Sequence, residues 1–318
     1  MQNKKRVAVL MGGKSAERDV SLATGRQIVE SLDREKYDVS ALNSEDLPAL
    51  AVMPPSERPD VVFIALHGPG GEDGTVQGFL DVLGIPYTGS GVLASALAMD
   101  KVRCKAMLGT ENIILPMDVV FEKWDSARRR RAAREVAIDL GYPVIVKPSQ
   151  QGSTFGATVV ESDDQMADAL TLAFRYDSTA LVEQKLEGVE ITVAVLGNRT
   201  PVALPIVEIV PRNGFFDYAA KYSSEEGVAA QEIVPARISD EAAEEAREIA
   251  LRCHRILGCR GMSRTDMFVT EDGVVTLEVN TIPGMTPTSL LPKAAAAAGI
   301  PFANLLDGLI TFALEKAL

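Results

Sequence analysis

The sequence predicts a protein of mixed α/β and α+β class in three units, the first of them a doubly wound parallel sheet. Two observations carry this expectation. Residues 1–97 alternate short apolar runs with longer amphipathic stretches, the rhythm of parallel strands joined by crossover helices. Further along, apolar runs come in neighbouring pairs linked by glycine-bounded or Asp-Gly turns, as antiparallel hairpins do. With 318 residues, 47% of them hydrophobic, there is enough apolar side chain for two or three packed cores, and disorder is excluded.

In the first unit, residues 1–97, strands are expected at 6–11, 37–42 and 61–65, with helices over about 15–32 and 75–83. The second, 98–182, opens with a helix at 100–109. A strand at 116–121, a helix rich in Ala, Arg and Glu over 127–140, and strands at 143–147 and 157–160 follow. The third, 183–318, holds several strands, an irregular stretch at 210–227, an acidic helix at 239–257, a hairpin at 267–279 and a last helix running to 318. A stretch as long as 210–227 inside a compact protein reads as a functional loop.

A net charge of −12 and a pI near 4.8 disfavour nucleic acid and anionic membranes as partners. The arginines at 128–131 fall within a helix-forming stretch and read as its exposed face. No apolar run approaches the roughly 20 residues that cross a bilayer, and residues 1–6 lead into a strand rather than a signal-peptide core, so a cytoplasmic location is expected. Cys104, Cys253 and Cys259 form no C-x-x-C pair and are odd in number, which predicts three reduced thiols instead of a disulfide framework or zinc site.

Three segments resemble nucleotide loops. Gly13-Lys14-Ser15 would end a Walker A loop, but that motif needs glycine where Ala8 stands. His67 to Gly74 fits G-x-G-x-x-G in no register, because position 73 is Asp73 and Pro69 lacks a backbone donor. The segment Lys147-Pro148-Ser149-Gln150-Gln151-Gly152-Ser153-Thr154-Phe155-Gly156 can lay backbone N–H groups over phosphates.

The hairpin carries the chemistry. Strands at 267–270 and 274–279 flank an Asp-Gly turn, and Asp266, Glu278 and Asn280 lie at or beside their ends. A three-residue loop, Glu271 to Gly273, would pair Thr270 with Val274 and place Asp266 opposite Glu278; a two-residue loop would face Asp266 with Val279. In the first register the three oxygen-bearing side chains share a face and suit Mg²⁺, which keeps its other positions for water and phosphate oxygens.

Taken together, these pieces resemble the D-alanine–D-alanine ligases of the ATP-grasp superfamily. The resemblance runs through Gly12 to Ser21, Ala65 to Gly68 with Gly70 to Gly74, Tyr87 to Gly91, Met99-Asp100-Lys101, Val146-Lys147-Pro148 with its glycine-bounded loop, and Ala220-Lys221-Tyr222. It continues through Arg264-Thr265-Asp266 and Glu278 to Thr286. It implies a three-domain ATP-grasp architecture whose first domain is the doubly wound sheet. It also implies ATP-dependent joining of two D-alanines through D-alanyl phosphate, for peptidoglycan precursor synthesis, by a homodimer. Its cofactors would be ATP and Mg²⁺ or Mn²⁺, with two ions on Asp266, Glu278 and Asn280. Lys101 and Lys147 would hold the phosphates, with the Ser153 loop closing over them. Glu183, Lys185 and Leu186 would read adenine, and Glu190 the ribose. Glu17 would take the ammonium of the first D-alanine, with His67 beside it, and Arg264 and the N–H of Gly284 would stabilise the oxyanion. Lys221 and Ser289 would bind the carboxylate of the second D-alanine, and Tyr222, on a lid at 210–227, would reach Ser153 and Glu17. Tyrosine at that lid position favours an amine as acceptor over the hydroxyl of D-lactate; D-serine is a further alternative acceptor. A catalytically inactive nucleotide sensor would lack some of these residues, and none is missing. Thr154-Phe155, where the family usually has Ser and a small aliphatic residue, and Met262-Ser263 before Arg264 depart from the common pattern.

Overall fold

The computed structural model of the chain describes residues 4–211 and 230–315. Lys221, Tyr222 and all but the first two residues of the expected lid lie outside them.

Three parallel strands, β1 (Lys5–Met11), β2 (Tyr37–Asn43) and β3 (Val61–Ile64), form a sheet in the order β2-β1-β3. Val7, Val9, Leu10 and all of β3 are buried, the continuous apolar run of strands covered on both faces. Part of that cover comes from the far end of the chain. The single helix expected to run to 318 is two helices, Leu290–Ala297 and Phe302–Leu314, bent by 105°. Gly299, at φ +76°, ends the first, and Pro301 opens the second. The bend brings Leu305, Leu306, Leu309 and Ile310 into one core with β1 and β3.

A second, antiparallel sheet runs β4 (Asp118–Glu122), β7 (Thr179–Gln184), β5 (Val144–Pro148), β6 (Thr158–Val160), under helices Ala132–Asp139 and Met166–Ala173. The arginine-rich helix expected over 127–140 is also two, Ser126–Arg129 and Ala132–Asp139. Asp125 caps the first through the N–H of Arg128, and Arg131 leaves helical geometry at φ −110°, ψ 4°. Nor is the run simply an exposed face. Arg128 lies 5.1 Å from the Phe121 ring centre and pairs with Glu135, and Arg129 lies 5.3 Å from that of Phe174, so two of the four arginines pack on aromatic faces.

The third sheet runs β11 (Gln231–Ile233), β10 (Val207–Val210), β8 (Val189–Leu196), β12 (Met262–Thr270), β13 (Gly273–Asn280), with β9 (Val202–Ala203) on β8. Helix Asp240–Ile256, capped by the Ser239 hydroxyl, covers one face with Ala246, Ile249, Ala250 and Cys253. All three cysteines are free and buried, and burial pushes each thiol up to about 12, so they stay protonated. Among the described residues no single helix is long and apolar enough to cross a membrane.

His254, for which the sequence offers no role, is buried on that helix. Its Nε2–H donates to Gly197 O (3.2 Å), and its Nδ1 accepts from the Ser263 hydroxyl (2.7 Å). Burial pushes its pKa down from 6.5 to about 4. A group depressed on folding contributes stability that is fully present above its unfolded pKa and is lost as pH falls toward the folded one. Wild type is therefore expected to lose about 2 to 3 kcal/mol from this residue between pH 7 and 4.5. Urea titrations at both pH values should show a loss smaller by that amount in His254→Gln; equal losses would exclude the residue as the acid-sensitive group.

Candidate active site

The hairpin of β12 and β13 adopts neither expected register along its whole length. Its loop is two residues, Glu271 and Asp272, with Thr270 opposite Gly273 and Met267 opposite Thr276. A β-bulge then shifts the pairing so that Asp266 faces Glu278 and Arg264 faces Asn280. The bulge thus produces the opposition of carboxylates that a three-residue loop would have given. With period two, Arg264, Asp266, Glu278 and Asn280 present one face.

That face binds positive charge. Arg264 grips Asp266 with Nε and Nη2, each at 2.8 Å, and the Thr192 hydroxyl, directly across on β8, donates to Oδ1 at 2.5 Å. Lys101 Nζ lies 3.3 Å from Glu278 and donates to Gln151 O at 2.8 Å. Asn280 Oδ1 is oriented by the N–H of Ile282 at 3.0 Å. Two carboxylates and an amide oxygen, already drawing a guanidinium and an ammonium, are hard donors that fit Mg²⁺. Among the described residues no three His, Cys, Asp or Glu side chains form a metal cage. Two carboxylates and one amide oxygen are fewer donors than octahedral Mg²⁺ takes, which leaves positions for other ligands.

Beside it, a cavity of about 530 Å³ lies between the second and third sheets. Lys101, Lys147, Ser153, Glu183, Lys185, Leu186, Glu190, Asp266 and Glu278 all line it. Its apolar walls include Ile145, Ile209, Phe268 and Leu277, which sequence reasoning passed over because they look like ordinary strand residues. Glu183, buried at its base, pairs with Lys147 and, at 2.7 Å, with Lys105. Burial alone would raise the Glu183 carboxyl, but Lys147 and Lys105 outweigh it and hold it below the usual range. Burial opposes the charge on Lys147 likewise, yet Glu183 and Glu278 keep its pKa above the ordinary value. Lys105 was also missed; the available signal was its position four residues after Lys101, which puts both on one helix face.

The loop between β5 and β6 lies against Glu17, which is buried at the opening of helix Arg18–Ser31. The Ser153 hydroxyl donates to Glu17 Oε1. At Gly152 a Cβ would come within 2.8 Å of Glu17 Oε2, so glycine permits the contact. Ser153 and Thr154 hold φ +48° and +65°, a conformation costly for a β-branched residue.

A smaller cavity, about 70 Å³, brings together Glu17, His67, Ser153, Arg264, Glu278, Asn280, Gly284 and Ser289. His67 is held by Glu72 and Thr24, each at 3.3 Å, and Ser289 by the N–H (3.0 Å) and hydroxyl (2.7 Å) of Thr286. Glu72, Glu232 and Thr288 also line it and were not anticipated, and Gly152 and Leu290 complete the lining. Ser153 and Glu278 line both cavities, so the two meet there.

Residues 6–47 and 43–90 match the family described as D-ala D-ala ligase N-terminus, and residues 111–311 match D-ala D-ala ligase C-terminus. The D-alanine–D-alanine ligase of Syntrophobacter fumaroxidans is 47% identical over 312 residues, covering 97% of each chain. Among solved structures, the Bacillus anthracis D-alanine–D-alanine ligase complexed with ATP superposes with a TM-score of 0.81 at 33% identity, over 99% of this chain and all of that one. The VanG D-Ala:D-Ser ligase of Enterococcus faecalis gives 0.82 at 32%, over 98% of this chain and all of that one. Matched along nearly its whole length in both sequence and fold, the chain belongs to the D-alanine–D-alanine ligase family of ATP-grasp enzymes.

Proposed function

We infer that this chain is an ADP-forming ligase that activates one D-alanine with ATP as D-alanyl phosphate and couples it to a second, supplying the dipeptide for peptidoglycan. The observation that carries this reading is the meeting of a nucleotide-sized cavity and a small polar cavity at Ser153 and Glu278. A phosphoryl group at the inner end of the first lies next to a carboxylate held in the second, and phosphoryl transfer between anions is chiefly positioning and charge neutralisation.

In this reading Lys101 and Lys147 take the phosphates, and Glu183, Lys185, Leu186 and Glu190 take adenosine. Glu17 binds the ammonium of the first D-alanine beside His67. Arg264 and the N–H of Gly284 face the oxyanion, while Ser289, with Lys221, holds the carboxylate of the second D-alanine. Mg²⁺ or Mn²⁺ on Asp266, Glu278 and Asn280 would supply charge neutralisation at the phosphates. The family resemblance supports two such ions, a homodimeric assembly and a cytoplasmic location.

The test is ADP release with ATP, Mg²⁺ and D-alanine, repeated with D-serine, D-lactate and L-alanine, each product identified by mass. D-Alanyl-D-alanine is the expected product. Turnover only with D-serine or D-lactate added would retain the ligase chemistry and move the acceptor, and no release with any amino acid would overturn the reading.

A further inference from the structure

Four carboxylates line the smaller cavity: Glu17, Glu72, Glu232 and Glu278. Three have a role in the ligase reading, and the role of the fourth rests on that same reading. Glu17 faces the ammonium of the first D-alanine, Glu72 holds His67, and Glu278 belongs to the cation-binding face. Glu232 has no part in it. The two substrates are zwitterions, and the ammonium of the acceptor is the substrate charge to which no group has been given.

Glu232 is placed to meet it. It is the middle residue of β11, with its side chain 12% exposed, and it is ion-paired with Lys293. Lys293 lies in the first turn of helix Leu290–Ala297, whose N-cap is Ser289, the residue read as holding the acceptor carboxylate. The ion pair therefore fastens Glu232 to the element that carries Ser289. In an α-amino acid the ammonium and carboxylate are separated by a single carbon, so a carboxylate fixed at Ser289 brings the ammonium within reach of this neighbourhood. An ammonium that leaves water without gaining a counter-charge bears a large desolvation cost. Lys293, 38% exposed, keeps much of its contact with water and so neutralises Glu232 only in part.

We propose that Glu232 binds the ammonium of the acceptor amino acid and so selects an amine over a hydroxyl at that position. Its role is recognition. The ammonium must lose a proton before its nitrogen attacks the acyl carbon, and holding the charged form lowers the acceptor KM without raising kcat.

The experiment uses the full chain with ATP and Mg²⁺. Wild type must first release ADP and form dipeptide from D-alanine; if it does not, the ligase reading falls and this proposal falls with it. Glu232→Gln keeps shape and removes charge. It is expected to raise KM for acceptor D-alanine roughly 10-fold or more, with kcat and the donor KM within about twofold. With D-alanine and D-lactate supplied together, the ratio of ester to dipeptide, read by mass, should rise by a similar factor, because a hydroxyl acceptor has no ammonium to lose. Lys293→Met separates recognition from support, since it keeps the carboxylate and breaks the ion pair; its acceptor KM should stay within a fewfold of wild type. An unchanged ester-to-dipeptide ratio in Glu232→Gln, or an equal rise in acceptor KM in Lys293→Met, would reduce Glu232 to a strut and overturn the proposal.

Discussion

Replacing Arg264 with methionine is expected to lower kcat by roughly 10²- to 10³-fold, the usual cost of removing one donor to a developing oxyanion. The guanidinium lies where two tasks meet. It holds both oxygens of Asp266 at 2.8 Å, and it lines the smaller cavity with Gly284. Methionine keeps most of the apolar stem and removes the charge, so packing is largely retained. If Arg264 acted only by holding Asp266, saturating Mg²⁺ would restore kcat, because the carboxylate would be held by the ion instead. If it stabilises the oxyanion, the deficit persists at every Mg²⁺ concentration. Arg264→Lys keeps the charge but not the planar fork, and should recover only part of the loss. Steady-state kinetics across a Mg²⁺ series decide between the two.

The chemistry of the site was legible because its donors lie in short runs. Arg264 and Asp266 are two residues apart on one strand, as are Glu278 and Asn280, and strand periodicity alone aligns each pair. One of the two registers read from the turn already set Asp266 opposite Glu278; what was not legible is how a two-residue loop reaches that pairing. The register depends on a bulge at Asp266/Met267, and a bulge is an outcome of the sheet and not of the turn residues from which the loop was read. The helix breaks at 130–131 and 298–301 show a similar limit. Alanine and leucine propensity ran through both, while local capping, Gly299 and Pro301 ended the helices there. Glu72, Glu232 and Lys105 went unseen for a third reason. Each is an ordinary charged residue in sequence, and acquires a role only when the fold supplies its partner: His67 across a tight loop, Lys293 some sixty positions on, Glu183 on strand β7.

Lys105 leads to the other large expected effect. Its ammonium is buried and meets three acceptors: Glu183 Oε1 at 2.7 Å, Asp118 Oδ1 at 2.6 Å and Pro116 O at 2.9 Å. Lys105→Met is close in volume, leaves Glu183 with Lys147 alone, and takes the ammonium from Asp118 and Pro116 O. Because Glu183 keeps Lys147, the cost is that of a lost charged hydrogen bond rather than of a bare buried charge, about 1.5 to 3 kcal/mol. That loss is expected in urea unfolding at pH 7. The sign of its pH dependence follows from Glu183, whose carboxyl is held low by Lys147 and Lys105. A depressed carboxyl contributes stability that is present above its unfolded pKa, near 4.5, and is lost as pH falls through the folded value. The gap between wild type and variant should therefore be widest at neutral pH and narrow below about pH 4.5. Neutralising Glu183 should return part of the loss, so Lys105→Met with Glu183→Gln is expected to be more stable than Lys105→Met alone. The nucleotide would feel the same change. With Lys105 in place, Glu183 keeps a counter-ion when Lys147 turns to a phosphate; without it, Lys147 is needed in both places, and KM for ATP should rise by about 10-fold or more. An unchanged KM for ATP in a destabilised variant would show that Lys105 serves the fold alone and that Lys147 reaches the phosphates without its help.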